Sequence, residues 1–279
     1  MIDFPCAKIN LGLNVTNKRA DGYHDLETVF YPINLCDKLE IEEMQRMPND
    51  TTGCILSLDG IAIEGDPKNN LVLKAYNILK GIYPELPSVS IKLTKFIPTQ
   101  AGMGGGSSDG TYTFRMLNKM FNLSMSTEDI RILASKLGAD CAFFANPAPS
   151  FATGIGEQLN PVKVDLTDYY IVIVKPPLMI STKDAFAHVT PRIPEKCCRD
   201  IVTMPIETWK DLLINDFEKS VAVLYPEIRE IKRILYEKGA IYASMTGSGS
   251  AVFGIFKNKP NDVKSTFEHC FTTIVHGGE

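Results

Sequence analysis

Hydrophobic and polar positions alternate in several short stretches of the chain and recur at helical spacing in others, with the two kinds interleaved. AKINLGLNV near the start alternates enough to predict a strand, and KRADGYHDLETVFYPINL continues it through an Asp-Gly turn. DKLEIEEM and CILSLDGIAIEG predict further short strands. From Asn70, NLVLKAYNILKGIY puts Leu71, Ala75, Ile78, Leu79 and Ile82 on one face of a helix. SVSIKLTKFIP alternates Val89, Ile91 and Leu93 as a strand ending at Pro98, and SSDGTYTFRMLNKMF then predicts a helix. STEDIRILASKLG has the marks of another helix: Ser126 or Thr127 as N-cap, acids in the first turn and Gly138 at the end.

Beyond Gly156 the pattern changes. DYYIVIVKPP predicts a strongly apolar strand, and PRIPEKCCRDIVTMPIETW a proline-punctuated connection. Helical stretches follow around residues 210–224 and 226–238. IYASMTGSGSAVFGIF reads as strand, small-residue turn and strand, with a final helix from Pro260. The change in character sets a boundary near residue 158, giving domains 1–158 and 159–279.

Composition narrows the class. The 279 residues suffice for two domains with buried cores, and 44% apolar with 22% charged residues is ordinary for a globular protein. A net charge of −4 offers no general attraction to nucleic acid or an anionic membrane. The seven cysteines are odd in number and scattered, without a C-x-x-C pair, so neither a disulfide framework nor a structural zinc site is indicated. Cys197 and Cys198 are expected as reduced neighbours. There is no basic-then-apolar leader and no apolar window of membrane-spanning length, so a cytoplasmic protein without a membrane or nucleic-acid partner is expected.

Between a predicted strand and a predicted helix lies GMGGGSSDG, residues 102–110. Glycines let the backbone turn sharply and approach a ligand, because no Cβ stands in the way. Exposed N–H groups at a helix N-terminus then form an anion site, reinforced by the helix dipole. Ser107 and Ser108 add hydroxyls for phosphate oxygens or Mg²⁺. No lysine follows the glycines as a Walker loop requires. Gly102, Gly104 and Gly106 also miss the G-x-G-x-x-G dinucleotide spacing. Phosphate binding is favoured over a flexible loop.

PTQAGMGGGSSDG resembles the phosphate loop of the GHMP small-molecule kinases. AKINLGLNV with RADGYHDLETVF, LGADCAFF with GIGE, and MTGSGSAVFGIF resemble further blocks of the same family, in family order across residues 6–256. The D-G-Y-H block is similar to that of the branch acting on a cytidine diphosphate ester of methylerythritol, in the non-mevalonate route to isoprenoids. Two departures stand out. Gly110-Thr111 occupy positions where Ala-Ala is usual, and Cys141-Ala142 replace Val/Ile-Pro; shifted packing rather than lost chemistry is expected from both.

The resemblance implies an α/β (α+β) two-domain GHMP kinase fold. Its N-terminal domain would be ribosomal-protein-S5-domain-2-like and its C-terminal domain ferredoxin-like α+β. It implies ATP-dependent phosphorylation of the sugar alcohol's 2-hydroxyl, with Mg²⁺, in a monomer or homodimer; it assigns no residue to the metal. Asp140 is the implied general base and Lys8 its cationic partner. The apolar surroundings of Asp140 would raise its pKa and a cation would counter that. The ATP phosphates would lie on Pro98, Thr99, Gln100, Ala101, Gly102, Met103, Gly104, Gly105, Gly106, Ser107 and Ser108. Asn70 and Lys95 match positions near the adenosine end, although a helix N-cap and a solvated lysine are nearly as good readings of them. Asn10 shares a strand face with Lys8 and would reach the same hydroxyls. Tyr23 would stack on the cytosine, His24 would bond its edge, Phe186 would supply the opposite face, Phe30 would line the pocket and Thr182 would touch the methylerythritol. The competing readings are a homoserine- or mevalonate-type kinase, which needs no base-stacking aromatics, and a catalytically silent nucleotide-binding regulator, which needs neither Lys8 nor Asp140.

Overall fold

Strand Val89–Lys95 is central to one of the sheets in the computed structural model, which describes residues 1–45, 53–63 and 65–278. Its alternation holds: Val89, Ile91 and Leu93 are all fully buried. The sheet runs in the order Ile2–Asp3, Lys38–Glu43, Val89–Lys95, Cys54–Gly60, antiparallel except for the last pair. It belongs to a unit made of Met1–Ala7, Leu35–Thr99 and Gly104–Pro147. Helices Leu71–Ile82, Gly105–Phe121 and Thr127–Ser135 and the 3-10 helix Ala139–Ala145 complete that unit.

Local chemistry explains most of these elements. Ser126 accepts from the Asp129 N–H while Asp129 accepts from the Ser126 N–H, so a capping box starts Thr127–Ser135. The helix Leu71–Ile82 forms over the expected span, but its buried stripe is Val72, Ala75, Tyr76 and Leu79, while Ile82 is exposed. The apolar positions permit either stripe, and packing selects the one that buries Tyr76. Gly110, one of the departures from the family pattern, sits in a tight contact: a Cβ there would come 2.9 Å from the Leu71 Cβ and 3.0 Å from Leu137 Cδ1.

The second unit comprises Lys8–Asn34, Gln100–Met103 and Ala148–Glu279. One sheet orders Cys6–Lys18, His24–Cys36, Ser150–Thr153 and Gln158–Pro161; the other orders Tyr242–Met245, Val252–Phe256, Tyr170–Lys175 and Phe271–His276 and is antiparallel throughout. Val172, Val174, Phe217, Val221, Ile228, Ile231, Leu235 and Val252 form the core beneath helices Phe217–Leu224 and Pro226–Glu237.

Two expectations need correcting here. The helical stretch around 210–224 is broken into Trp209–Leu212 and Phe217–Leu224. Asn215 lies in the break: its side-chain amide donates to Met245 O at 2.8 Å and Gly247 O at 2.9 Å and accepts from the Phe217 N–H at 3.0 Å. The proline-punctuated connection before it contains helix Cys198–Ile201 and the turn Ile206–Thr208. The final helix is only Val263–Thr266, and the chain then returns as strand Phe271–His276 beside Tyr170–Lys175. Among the described residues no helix is long and apolar enough to cross a membrane.

Candidate active site

Side chains at i and i+2 of a strand share a face, and on strand Cys6–Lys18 this brings Lys8 and Asn10 together. Both are buried. The Lys8 ammonium donates to Asn10 Oδ1 at 2.7 Å and to Gly102 O at 2.8 Å, and lies 5.1 Å from the centre of the Phe30 ring. A desolvated cation is costly unless such partners replace water. Asn10 is fixed from two further sides. Its amide donates to Thr28 Oγ1 at 2.9 Å, and its backbone N–H donates to Thr246 Oγ1 at 3.1 Å. The Thr246 hydroxyl in turn faces both Asn10 Oδ1 and Gly102 O at 3.1 Å. Phe30 therefore belongs to the surroundings of Lys8.

The glycine tract has a defined shape. Gly102 adopts φ +72°, and a Cβ there would stand 2.0 Å from Thr246 O, so only glycine fits. Gly247 (φ +54°) completes this close approach as a backbone turn. Ala101 and Met103 point inward, Pro98 is buried and Gln100 is exposed at φ +50°. Gly104 is left-handed at φ 70° and starts helix Gly105–Phe121 with no side-chain cap. The first N–H groups of a helix have no intrahelical acceptor. Those of Gly105, Gly106 and Ser107 thus form an uncapped N-terminus, and a side chain on Gly106 would meet nothing within 4 Å. This suits a phosphate group. Of the two serines, Ser107 is half-buried, whereas Ser108 Oγ is buried without a protein partner.

Beneath the helix start lies a charged cluster that the sequence does not announce. Lys95 is 2% exposed, which removes the solvated-lysine reading. Its ammonium pairs with Asp109 Oδ2 at 2.6 Å and with Asp37 Oδ2, and would touch a Cβ on Gly105 at 3.4 Å. Asp37 Oδ1 also accepts the Phe96 and Ile97 N–H groups at 2.6 and 2.9 Å. Burial alone would lower the Lys95 pKa, but Asp109 and Asp37 hold it above its ordinary value. Burial pushes the Asp109 carboxyl up to about 7, with Lys95 pulling against it and the Asp37 charge adding to it. A carboxyl whose folded pKa exceeds its ordinary 3.8 stabilises the fold below that value and loses the contribution as pH rises through about 7. Urea unfolding at pH 5 and pH 8 should therefore show a larger loss of stability in the native chain than in Asp109→Asn; equal losses would contradict the assignment. Asn70 accepts from the Val72 N–H at 2.9 Å as N-cap of Leu71–Ile82.

Asp140 is half-buried in the 3-10 helix Ala139–Ala145. The two departures from the family pattern meet beside it, because the Thr111 hydroxyl lies 2.9 Å from both Ser107 O and Cys141 O. Burial pushes the Cys141 thiol up to about 11, with the Ser107 hydroxyl lowering it in part. Thr111 thus ties helix Gly105–Phe121 to the turn that carries Asp140.

At the hairpin between strands Cys6–Lys18 and His24–Cys36, Tyr23 is 60% exposed and its N–H is held by Asp21 Oδ1 at 3.0 Å. The His24 and Phe186 rings stack at 4.5 Å and 21°, and Phe217 meets Phe186 edge-on at 4.7 Å. One face of Phe186 is therefore covered by His24. Thr182 opens helix Thr182–Phe186, and its side chain lies outside the described residues.

Two family comparisons bear on this arrangement: residues 70–150 match the GHMP kinases N terminal domain and residues 204–270 match GHMP kinases C terminal. A 4-diphosphocytidyl-2-C-methyl-D-erythritol kinase of Bacteroides fragilis is 50% identical over 276 residues, covering 98% of this chain and 99% of its own. The chain belongs to the GHMP kinase family. A crystal structure of 4-(cytidine 5'-diphospho)-2C-methyl-D-erythritol kinase superposes with a TM-score of 0.80 at 27% identity, covering all of both chains. The Methanococcus jannaschii mevalonate kinase gives 0.68 at 15% identity over 99% of this chain and 98% of its own, a likeness of fold alone.

Within this GHMP kinase, sequence reading did not single out Thr28, Thr246, Asp37 or Asp109. Asp109 stood inside the glycine tract and Thr246 inside MTGSGSA, so both lay in quoted motifs without an assigned part. Thr28 and Asp37 carried no local signal.

Proposed function

We propose that this chain transfers the γ-phosphoryl group of ATP to the 2-hydroxyl of 4-diphosphocytidyl-2-C-methyl-D-erythritol, a step of the non-mevalonate route to isoprenoids. The observation that carries the reading is near full-length similarity, at 50% identity, to a kinase of that name. The buried Lys8–Asn10 network and the uncapped glycine start of helix Gly105–Phe121 support it. We assign the functional division to a point near residue 158, with the loop on its N-terminal side.

In the proposed reaction the substrate oxygen attacks the γ-phosphorus, the bond to the bridging β,γ-oxygen breaks and ADP leaves. Asp140 takes the hydroxyl proton. Lys8, held by Asn10 and Gly102, supplies a fixed positive charge where the hydroxyl becomes anionic. Phosphoryl transfer is mainly positioning and charge compensation, which a set of rigid N–H donors and one ammonium can provide. We assign the N–H groups of Gly105, Gly106 and Ser107 to phosphate oxygens. The Ser107 hydroxyl is the loop side chain we assign to Mg²⁺, and it would hold an ion whose chemistry there would be neutralisation of phosphate charge. Lys95 acts from below, bracing the loop through Asp109. Tyr23 is the exposed platform for the cytosine, and Phe186 joins it only if His24 turns aside to bond the base.

Thermal shift with CDP, CMP, homoserine and mevalonate tests the reading. Stabilisation by the cytidine nucleotides alone is expected; stabilisation by homoserine or mevalonate instead would replace the substrate class. Base stacking is worth about 1–3 kcal/mol, so Tyr23→Ala should weaken CDP binding by about 5- to 150-fold in calorimetry. Unchanged CDP affinity would remove Tyr23 from the site.

A further inference from the structure

Glu27, Cys197 and Cys198 form a compact triad on the second unit, apart from every residue assigned above to the kinase reaction. One carboxylate oxygen and the two sulfurs all lie within 4.8 Å of one another. No other group of histidine, cysteine or acidic residues among the described residues does this. Cys198 is 1% exposed, while Cys197 and Glu27 are half-buried. Both cysteines are free.

The triad is built by the fold and not by sequence proximity, since Glu27 and Cys198 are 171 residues apart. Glu27 lies on strand His24–Cys36, and Cys197 and Cys198 stand at the start of the short helix Cys198–Ile201. The Cys198 N–H donates to Glu27 Oε1 at 3.4 Å, which holds the carboxylate against the helix start. Behind it, Cys198 packs against Gly12 so closely that a Cβ on Gly12 would come 3.1 Å from the Cys198 Cβ. The two sulfurs and the carboxylate oxygen thus share one small volume.

We propose that Glu27, Cys197 and Cys198 form a binding site for a thiophilic divalent cation, with zinc as the best-matched ion. Tetrahedral zinc at about 2.3 Å from sulfur and about 2.1 Å from oxygen spaces its ligand atoms roughly 3.5–3.8 Å apart, and the three atoms here lie within 4.8 Å of one another. Two thiolates and one carboxylate exceed the ion's charge by one, and the nearby Arg199 and Asp200, bonded to each other at 3.4 Å, act on Glu27 with opposite signs. Sulfur ligands favour zinc or cadmium over Mg²⁺, which prefers oxygen, so the site is chemically separate from the metal of phosphoryl transfer. Its fourth position is left to water on the half-buried Cys197 side. An ion there would tie strand His24–Cys36 to helix Cys198–Ile201.

The test uses the full chain, stripped of metal and kept reduced, and does not depend on kinase activity. Titration with Cd²⁺ is followed by the thiolate-to-metal ultraviolet band, and Zn²⁺ is added in competition. One saturable equivalent is expected, with affinity at least tenfold weaker in Cys197→Ser and in Glu27→Gln and unchanged in Cys270→Ser. Cys197 and Glu27 are half-buried, so these variants keep the test open if Cys198→Ser fails to fold. No saturable band in the native chain would overturn the site, as would native affinity in Cys197→Ser or an equal loss in Cys270→Ser. A Cys197–Cys198 disulfide persisting in the reduced protein would also overturn it.

Discussion

Asp140→Asn is expected to lower turnover by about 10²–10⁴-fold, the usual worth of a positioned general base. The substitution keeps the shape of the side chain and removes its capacity to take a proton. Affinity for the cytidine substrate should barely change, because the loss falls on the transition state. Lys8→Met should also reduce turnover, and it carries a structural cost as well. The ammonium's bonds to Asn10 Oδ1 and Gly102 O disappear, so Asn10 loses one of the partners that fix its amide. A Lys8→Met chain should therefore show a raised substrate KM as well as a lowered kcat, whereas Asp140→Asn should change kcat alone. If both residues serve one proton transfer, the double variant should lose less than the product of the single losses. Multiplicative losses would mean they act separately. Near-native turnover in Asp140→Asn would leave that residue a positioning part at most.

Gly102→Ala should have the next largest effect, for a reason legible in the backbone. At φ +72° a side chain is strained by about 1–2 kcal/mol, and the Cβ would also stand 2.0 Å from Thr246 O. That oxygen is backbone and cannot swing away. The loop must shift, moving the Gly102 carbonyl that both Lys8 and the Thr246 hydroxyl contact. Stability should fall by more than about 2 kcal/mol, and ATP affinity by at least tenfold in calorimetry. Gly106→Ala is the matched control, because a Cβ there meets nothing within 4 Å and the residue is not in the left-handed region. It should fold with native stability. A Gly102→Ala chain with native stability and ATP affinity would refute the packing argument.

Elements whose causes are local were legible in the sequence. Strand Val89–Lys95 follows from its alternation, and helix Thr127–Ser135 from a cap and acids within one turn. The glycine tract was recognisable because a sharp turn before a helix demands glycine wherever it occurs. The burial stripe of Leu71–Ile82 was not, since two overlapping apolar faces exist and only tertiary packing, against helix Gly105–Phe121 and its neighbours, selects between them. The late strand Phe271–His276 was missed because its pairing partner Tyr170–Lys175 lies about a hundred residues earlier.

By itself the sequence determined the order of most elements and the glycine tract, because each is marked by neighbours a few positions away. Lys8 and Asp140 became candidates through motifs that resemble those of a family, and Asn10 through its place on the strand face of Lys8. Tertiary structure alone decided what surrounds them. Thr246 reaches Asn10 across 236 residues, and Asp37 reaches Lys95 across 58. A buried charge or amide must find partners wherever the fold supplies them, and their distance along the chain carries no cost once the core has closed. For that reason Lys95, a solvated lysine by its local context, became the buried centre of two carboxylates, and two threonines to which the sequence assigned no part became the groups that hold Asn10 in place.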